Sequence, residues 1–166
     1  MLSKYSFLLC LLLGLSVAVF AQKRKYGMLT INLPGANWSE QTQAGQQQFS
    51  NYNTVETEKI SITLTQPQSF TGKPEPQFAT LWRQFMQLAD TATAPRFRKV
   101  YTNDSQLMLT GGALTNGPDG QGYYQLTVYL LGQKLQALLL RVDDAKIWKT
   151  KQYDWMEWLQ NAIVKE

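Results

Sequence analysis

Histidine is absent from the 166 residues of this chain, and the one cysteine, Cys10, lies in the apolar N-terminal segment. Histidine is the side chain that most often acts as a general base near pH 7, and it is the commonest ligand of transition metals. Without a second cysteine, thiol catalysis, thiolate zinc sites and iron–sulfur clusters are excluded beyond residue 21. We therefore expect no cofactor and no metal site, and a protein that is not an enzyme.

Charge is also sparse, since only 17% of the residues are Asp, Glu, Lys or Arg. Beyond residue 21 there are 15 basic residues against 12 acidic residues, a net charge of +3. This excess is too small for the electrostatic footprint of a nucleic-acid-binding protein. It permits weak attraction to anionic surfaces, and nucleic acid is not an expected partner.

Residues 1–21 have the features of a secretory signal peptide. Lys4 supplies the positive start, residues 7–19 are apolar, and Ala21 ends a small-residue cleavage site. We expect cleavage before Gln22, export to the periplasm or out of the cell, and no integral membrane span afterwards. The alternative is an uncleaved anchor, which the basic residues 23–25 favour, but the apolar run is shorter than the ~20 residues that span a bilayer.

Residues 22–166 are long enough for one domain that needs no disulfides. We interpret residues 22–26 as a charged leader, and residues 27–166 as a single α+β domain. Export without disulfides is more typical of a bacterial envelope than of a small disulfide-stapled animal domain.

The longest apolar and aromatic run after the N-terminus, residues 121–142, predicts a β-hairpin that turns at Gly132-Gln133. A two-residue turn pairs apolar residues on one face, namely Leu130 with Leu135, Val128 with Ala137 and Leu126 with Leu139. The other face carries Tyr129, Leu138 and Leu140. It is too apolar to face water, so another element should cover it.

Alternating apolar residues predict further strands at 28–33, 47–52, 59–65, 96–102 and 107–109. Helical spacing predicts one helix over 76–89, and a second near the C-terminus with Asp154 at its start. The glycine-rich residues 111–122 lack the ending of a phosphate-binding loop and are predicted to be a connecting loop. The fold class is therefore α+β, with a single antiparallel sheet of six to seven strands flanked by two helices.

Basic and aromatic residues form the candidate binding surfaces. One patch surrounds the start of the last helix, where an exposed cluster would suit a protein partner or a membrane surface. A second basic cluster lies on the predicted edge strand, where protection against aggregation is the alternative explanation. The candidate residues are Trp148, Tyr153, Lys146, Lys149 and Lys151 in the first patch, and Arg96 and Arg98 in the second.

Carboxylates offer the alternative functions. Asp119, Asp143 and Asp144 could serve a carboxylate-based hydrolase or a sugar-binding protein, although such residues commonly form turns. A calcium site using Asp104 or these residues would lack the 12-residue loop of a known calcium motif. A further alternative is a small-ligand carrier with a cavity between sheet and helix.

Residues 26–38 read YGMLTINLPGANW, a strand followed by proline, a short turn and tryptophan. This motif resembles the start of PsbP-like proteins, and the later order of elements is similar over most of the chain. The resemblance implies an antiparallel sheet sandwiched by helices. It also implies a family whose better-known members assist or stabilise protein assemblies, and it transfers no functional residue. We therefore expect an exported, non-catalytic binding or assembly-assisting module whose partner is another envelope protein.

Overall fold

The computed structural model describes residues 22–34, 37–52, 59–88, 94–117, 120–143 and 145–165, and only the backbone of Tyr52, Ala145 and Lys146. The elements in chain order are β1 (Gln22–Tyr26), β2 (Leu29–Leu33), β3 (Trp38–Gln43), β4 (Gln46–Tyr52), β5 (Lys59–Thr65), β6 (Gln68–Ser69), α1 (Glu75–Met86), β7 (Arg98–Tyr101), β8 (Leu107–Gly117), β9 (Gly120–Leu131), β10 (Lys134–Val142), α2 (Ala145–Gln160) and β11 (Ile163–Val164).

These strands form two antiparallel sheets. The larger sheet has eight strands in the order β3-β4-β5-β10-β9-β8-β7, with β6 also paired to β10, and the smaller sheet has the order β1-β2-β11. The α+β class with two helices is confirmed, but the prediction of a single sheet of six to seven strands is wrong. Alternation shows which side of a strand is buried, and it does not show which strand is the neighbour.

The central hairpin has the predicted register. Leu130 lies opposite Leu135, and the pairs Val128–Ala137 and Leu126–Leu139 follow in step on the same face. Gly132 occupies the turn with a φ of 58°, a left-handed conformation that glycine adopts without strain. The hairpin lies at the centre of the larger sheet, with β5 beside β10 and β8 beside β9.

Each face of the larger sheet is covered. The paired leucine face packs against α1 through Phe78, Leu81, Trp82 and Met86. The opposite face, which carries Tyr129, Leu138 and Leu140, is covered by α2 and by the smaller sheet. The expectation that another element covers this face is therefore confirmed, and the order of layers is α1, larger sheet, then α2 side by side with the smaller sheet.

The glycine-rich residues 111–122 are not a connecting loop. Of these, the described residues 111–117 form the end of β8 and residues 120–122 form the start of β9, paired in register from Gly111–Leu126 to Gly117–Gly120. A Cβ atom on Gly111 would lie 2.5 Å from the carbonyl oxygen of Arg96. Glycine is needed at position 111 because the segment at Arg96 approaches the strand closely. In the sequence alone, the same glycines are typical of a loop.

The structure also differs from two predictions about the ends of the described chain. Residues 22–26 are not a separate leader, because they form β1 and pair with β2 from Gln22–Leu33 to Tyr26–Leu29. Asp154 is not an N-cap, because α2 begins at Ala145 and Asp154 lies in its second half. The strand β3 has no apolar alternation and was not predicted, since it is an exposed edge strand held by pairing with β4.

Tyr129 joins the hairpin to the end of α2. Its side chain is fully buried, and its hydroxyl donates a hydrogen bond to the carbonyl oxygen of Leu159 at 2.9 Å. Carbonyl groups in the last turn of a helix have no partner within the helix, so Tyr129 satisfies one of them. Burial raises the pKa of Tyr129 well above its ordinary value.

Replacing Tyr129 by phenylalanine is expected to lower the free energy of unfolding by about 1–2 kcal/mol at pH 7, because the hydrogen bond to Leu159 is lost. A second effect depends on pH. The native state holds the phenolic proton more tightly than the unfolded chain, whose tyrosines titrate near about 10. The stability that this phenol confers is therefore fully present below about pH 10. Above about pH 10, the free energy of unfolding decreases by up to about 1.4 kcal/mol per pH unit.

Urea unfolding at pH 7, 9 and 10.5 measures both effects. The Tyr129→Phe variant should lose less stability between pH 9 and 10.5 than the parent protein does. Tyr153→Phe is the matched control, because Tyr153 is 81% exposed. This variant should have the same pH profile of stability as the parent protein. Parallel profiles for Tyr129→Phe and the parent would contradict the assignment.

Candidate functional site

The candidate site is a groove between α2 and the β7–β9 side of the larger sheet, here called the α2 groove. Its volume is about 360 Å³. The side chains that line it are one arginine (Arg98), three aromatic residues (Tyr123, Trp148 and Tyr153), three glutamines (Gln125, Gln152 and Gln160) and two apolar residues (Val100 and Met156).

Helical spacing explains which side chains reach the groove. Trp148, Trp155 and Leu159 are buried and lie seven and four residues apart, so this stripe of α2 faces the sheet. The next stripe consists of Gln152, Met156 and Gln160, which are spaced by four residues and line the groove. The groove therefore follows one flank of α2.

The floor of the groove is an aromatic stack tied to a hydrogen-bond chain. The rings of Tyr123 and Trp148 lie 3.9 Å apart at an angle of 14°. The Tyr123 hydroxyl donates to the Oε1 atom of Gln125 at 3.2 Å, and the Nε2 atom of Gln125 donates to the hydroxyl of Thr110. Thr110 in turn lies 3.0 Å from the hydroxyl of Thr127. A connected and buried polar chain of this kind holds the floor in one conformation.

The electrostatics of the floor favour a neutral phenol. Burial raises the pKa of Tyr123, and the positive charge of Arg98 lowers it by a smaller amount. Tyr123 therefore stays protonated at neutral pH and offers hydrogen bonding, but not a phenolate nucleophile.

The cations of β7 point to opposite sides of the sheet. The Nζ atom of Lys99 pairs with the Glu75 carboxylate of α1 at 2.6 Å, and that pairing lowers the pKa of Glu75. Arg98 lines the α2 groove instead and has no carboxylate partner in the described part of the chain. A hydrogen bond joins β7 to α2 at one end of the groove, because the Nε2 atom of Gln160 donates to the carbonyl oxygen of Tyr101 at 3.2 Å.

The structure brings only some of the predicted binding residues together. Arg98, Trp148 and Tyr153 line the same groove. Trp148 is 7% exposed, so the expectation of an exposed patch is wrong for this residue and holds for Tyr153, Lys149 and Lys151. Trp148 is buried because its position on α2 belongs to the stripe that faces the sheet.

The remaining candidates lie elsewhere. Arg96 is exposed and does not line the groove, and Lys151 lies on the opposite flank of α2. The side chain of Lys146 is outside the described part. The three glutamines of the groove were missed, although the spacing of Gln152, Met156 and Gln160 was a readable signal for a polar helical flank.

The carboxylates proposed for the alternative functions are not brought together among the described residues. Asp143 forms an ion pair with the guanidinium of Arg141 at 2.8 Å, and Asp104 is exposed. Asp119 and Asp144 lie outside the described residues. Within the described ranges, no group of three or more Asp, Glu, His or Cys side chains is arranged to hold a metal ion.

The helices that the structure describes include none with the length and apolarity needed to cross a membrane.

The fold is similar to those of two solved structures. The solution structure of cyanobacterial PsbP (CyanoP) from Synechocystis sp. PCC 6803 matches with a TM-score of 0.55 and 12% identity, over 87% of this chain and 93% of that chain. The crystal structure of the Ran-binding protein Mog1p from Saccharomyces cerevisiae matches with a TM-score of 0.52 and 8% identity, over 87% and 96%. No family model and no curated protein match the sequence. The chain has a PsbP-like fold, so the resemblance inferred from residues 26–38 is confirmed at the level of the fold.

Proposed function

From this PsbP-like fold and the composition of the α2 groove, we propose that the protein is a non-catalytic binding module. The groove binds an acidic segment of another envelope protein. The single observation that carries the proposal is that Arg98, which has no carboxylate partner among the described residues, lies in the same groove as an ordered aromatic floor.

Charge is the first support for this partner. Arg98 is the charged residue among the described groove residues, and none of them carries a carboxylate. Lys149 is exposed on the same helix, one turn before Tyr153. A positive groove without acidic residues attracts a negative segment and repels a basic one, which favours both the rate and the specificity of association.

The aromatic residues are the second support. Tyrosine, tryptophan and arginine are the residues that most often dominate the binding energy of protein interfaces. Tyr153 stands exposed at the rim, while Tyr123 and Trp148 are stacked beneath it. Because the floor is already ordered by hydrogen bonds, a partner loses less conformational entropy there than it would on a mobile surface.

The fold is compatible with such a role. One similar structure, that of Mog1p, is described as a Ran-binding protein, so a chain of this fold binds another protein. The identity of 8% limits that comparison to the fold, and the groove residues alone supply the chemistry proposed for this chain.

The proposal includes export. Residues 1–21 have the composition of a signal peptide, and cleavage before Gln22 would keep all of the described residues of β1, Gln22–Tyr26. The binding module would then work in the periplasm or outside the cell, where a chain without cysteine needs no oxidative folding.

A photo-crosslinking amino acid at position 153 tests the proposal in intact cells. We expect one envelope protein to be captured, attached to a chain whose mass lacks residues 1–21. Arg98→Glu should reduce the captured amount about tenfold, because it reverses the positive charge that lines the groove. Arg96→Glu is the matched control, since Arg96 is an exposed arginine outside the groove.

Two results would contradict this function. The first is an equal captured amount in Arg98→Glu and Arg96→Glu, which would mean that the charge of Arg98 is not used. The second is capture of the same protein by a crosslinker at position 88, an exposed leucine after α1, which would mean that the contact is not specific to the groove. Capture by a chain that retains residues 1–21 would contradict the cleavage alone.

A small-ligand carrier is the second candidate, because the groove lies between the sheet and a helix as that hypothesis requires. Its volume of about 360 Å³ is within the range of small-molecule sites, which are about 300–1,000 Å³. A carrier would bind a small anion without any protein partner, and Arg98→Glu would abolish that binding in the purified protein.

A further inference from the structure

The strand β7 forms one edge of the larger sheet. It is the last strand in the order of that sheet, and among the described residues it pairs with β8 alone. The outer side of an edge strand presents backbone N–H and C=O groups to which a strand of another molecule can bond. Arg98 belongs to β7, so this edge also borders the α2 groove.

The register of β7 shows which of its backbone groups face outward. The N–H of Thr102 donates to the carbonyl oxygen of Gln106 at 2.9 Å, so these two residues form a hydrogen-bonded pair at the end of the β7–β8 ladder. In an antiparallel ladder only every second pair is hydrogen-bonded. Along β7, Val100 therefore bonds to β8, whereas the N–H and C=O groups of Lys99 and Tyr101 point away from β8.

One hydrogen bond agrees with this orientation. The carbonyl oxygen of Tyr101 accepts from Gln160 of α2 and therefore does not face β8. The N–H of Tyr101, and both the N–H and the C=O of Lys99, have no hydrogen-bond partner among the described residues. The outer side of β7 thus has two donors and one acceptor that a further strand can use.

Alternation along β7 gives this edge two different sides. Arg98 and Val100 line the α2 groove. Lys99 and Tyr101 face the side of α1, where Lys99 pairs with Glu75 and Tyr101 is 60% exposed. The groove side therefore offers a cation with no carboxylate partner among the described residues, and the other side offers an exposed aromatic ring.

We propose that the partner segment adds to β7 as an antiparallel strand and extends the larger sheet. This inference rests on the proposed function and specifies how the acidic segment is held: its backbone bonds to Lys99 and Tyr101, and a carboxylate reaches Arg98. Position 98 is not hydrogen-bonded to the added strand, and facing side chains are closest at such positions. An apolar residue three positions before the carboxylate would pack on the exposed ring of Tyr101.

A second copy of this chain is a poorer occupant of the same edge. Its own edge strands β1, β7 and β11 carry no acidic residue. The one carboxylate of its edge strand β3, Glu40, already pairs with Arg24 at 3.3 Å. Pairing of β7 with another β7 would bring like charges together, which is unfavourable. The charges therefore favour a different protein as the partner.

Amide hydrogen exchange tests the outward groups without any ligand. In the ¹⁵N-labelled protein, the amide protons of Lys99 and Tyr101 should exchange at least about tenfold faster than that of Val100, because only Val100 has a backbone acceptor in β8. Similar rates for the three residues, after correction for their intrinsic rates, would overturn the proposal, because Lys99 and Tyr101 would then not be free to bond to another strand.

The probe ligand is the capped peptide acetyl-Thr-Leu-Thr-Thr-Glu-Thr-Thr-Thr-amide, in which leucine lies three positions before glutamate. We expect a Kd of about 1 mM or lower, and exchange of the Lys99 and Tyr101 amide protons slowed about tenfold in the complex. Two N-methylated forms test the backbone contacts. Methylation of the leucine and of the threonine just before the glutamate should abolish binding, because these N–H groups face β7. Methylation of the glutamate and of the threonine just after the leucine should not.

The charge contact is tested by two arginine variants. Arg98→Glu should weaken binding of the peptide about tenfold, because it places a like charge opposite the glutamate. Arg96→Glu is the matched control and should bind the peptide as the parent protein does, since Arg96 lies outside β7 and outside the α2 groove. Equal binding by the two variants would contradict the acidic partner of the proposed function.

Three results would overturn the added strand. In the first, the peptide at about 5 mM leaves exchange at Lys99 and Tyr101 unchanged. In the second, the two N-methylated forms bind equally; if that binding still depends on Arg98, the proposed function stands and only the added strand fails. In the third, protection of the same amides increases with protein concentration in the absence of peptide, which would assign this edge to a second copy of the chain.

Discussion

Replacing Gln136 by leucine is expected to lower the free energy of unfolding by about 3–5 kcal/mol, because a fully buried amide with three partners is lost. Its Oε1 atom accepts from the backbone N–H of Met28 at 2.8 Å. Its Nε2 atom donates to the carbonyl oxygens of Tyr26 at 2.9 Å and Thr65 at 2.7 Å. Leucine is similar in volume and cannot form any of the three hydrogen bonds to these backbone groups.

The position of Gln136 explains why the effect extends beyond its own contacts. It lies on β10 of the larger sheet, whereas Tyr26 and Met28 form the turn between β1 and β2 of the smaller sheet. The amide is thus a joint between the two sheets. Since the carbonyl oxygen of Asn32 in β2 also accepts the indole N–H of Trp158, loss of the joint should loosen the contact between β2 and α2 as well.

Urea unfolding measures the loss, and tryptic cleavage in β1 measures the loosening of the smaller sheet. Gln121→Leu is the matched control, because Gln121 is an exposed glutamine in β9 and should change stability by less than about 0.5 kcal/mol. If Gln136→Leu unfolds at the same urea concentration as Gln121→Leu, the amide does not join the sheets.

The second large effect is expected from Gly27→Ala, which should destabilise the protein by about 3 kcal/mol or more. Gly27 has a φ of 59°, in the left-handed region. A Cβ atom there would also lie 2.6 Å from the ring of Pro67 and 2.8 Å from the Oε1 atom of Gln136. Either the turn between β1 and β2 moves, or the amide of Gln136 leaves its partners.

Gly132→Ala separates the two causes. Gly132 has nearly the same backbone conformation, with a φ of 58°, but a Cβ atom on it would have nothing within 4 Å. Its loss should be limited to the strain of the left-handed conformation, about 1–2 kcal/mol. Thermal or urea unfolding of both variants gives the difference, and equal losses would mean that the packing around Gly27 contributes nothing.

The sequence was most informative where both faces of a strand had a distinct pattern. The hairpin register follows from three apolar pairs and a glycine turn, and a shift by one residue would have exposed every leucine of that face. The helix over 75–86 was similarly readable from Phe78, Leu81 and Trp82, together with a proline in its first turn.

Polar and short strands were less readable. β1 consists of three consecutive charged residues between a glutamine and a tyrosine, and β11 has only two residues, so neither has an apolar face of its own to predict it. Both are strands because β2 supplies their hydrogen-bond partners. Such pairing depends on which segments meet after folding, and local propensity carries little information about it.

The candidate sites were predicted only in part, for a similar reason. Arg98, Trp148 and Tyr153 were identified from residue type, but their roles as groove cation, buried floor and exposed rim depend on how α2 is rotated against the sheet. A pocket on the other flank of α2 joins β3, β5 and α2, and its lining residues extend along the chain from Pro34 to Trp158. No local pattern connects them.

By itself, the sequence determined that histidine is absent and that there is one cysteine, and it predicted the α+β class and the register of the central hairpin, because residue types and apolar periodicity suffice for these. Only the tertiary structure decided that the strands divide into two sheets, that Gln136 joins them, and that α2 has a groove on one flank and a pocket on the other. These features arise from contacts between distant segments, and such contacts are set by the packing of whole layers and not by the pattern within any one strand or helix.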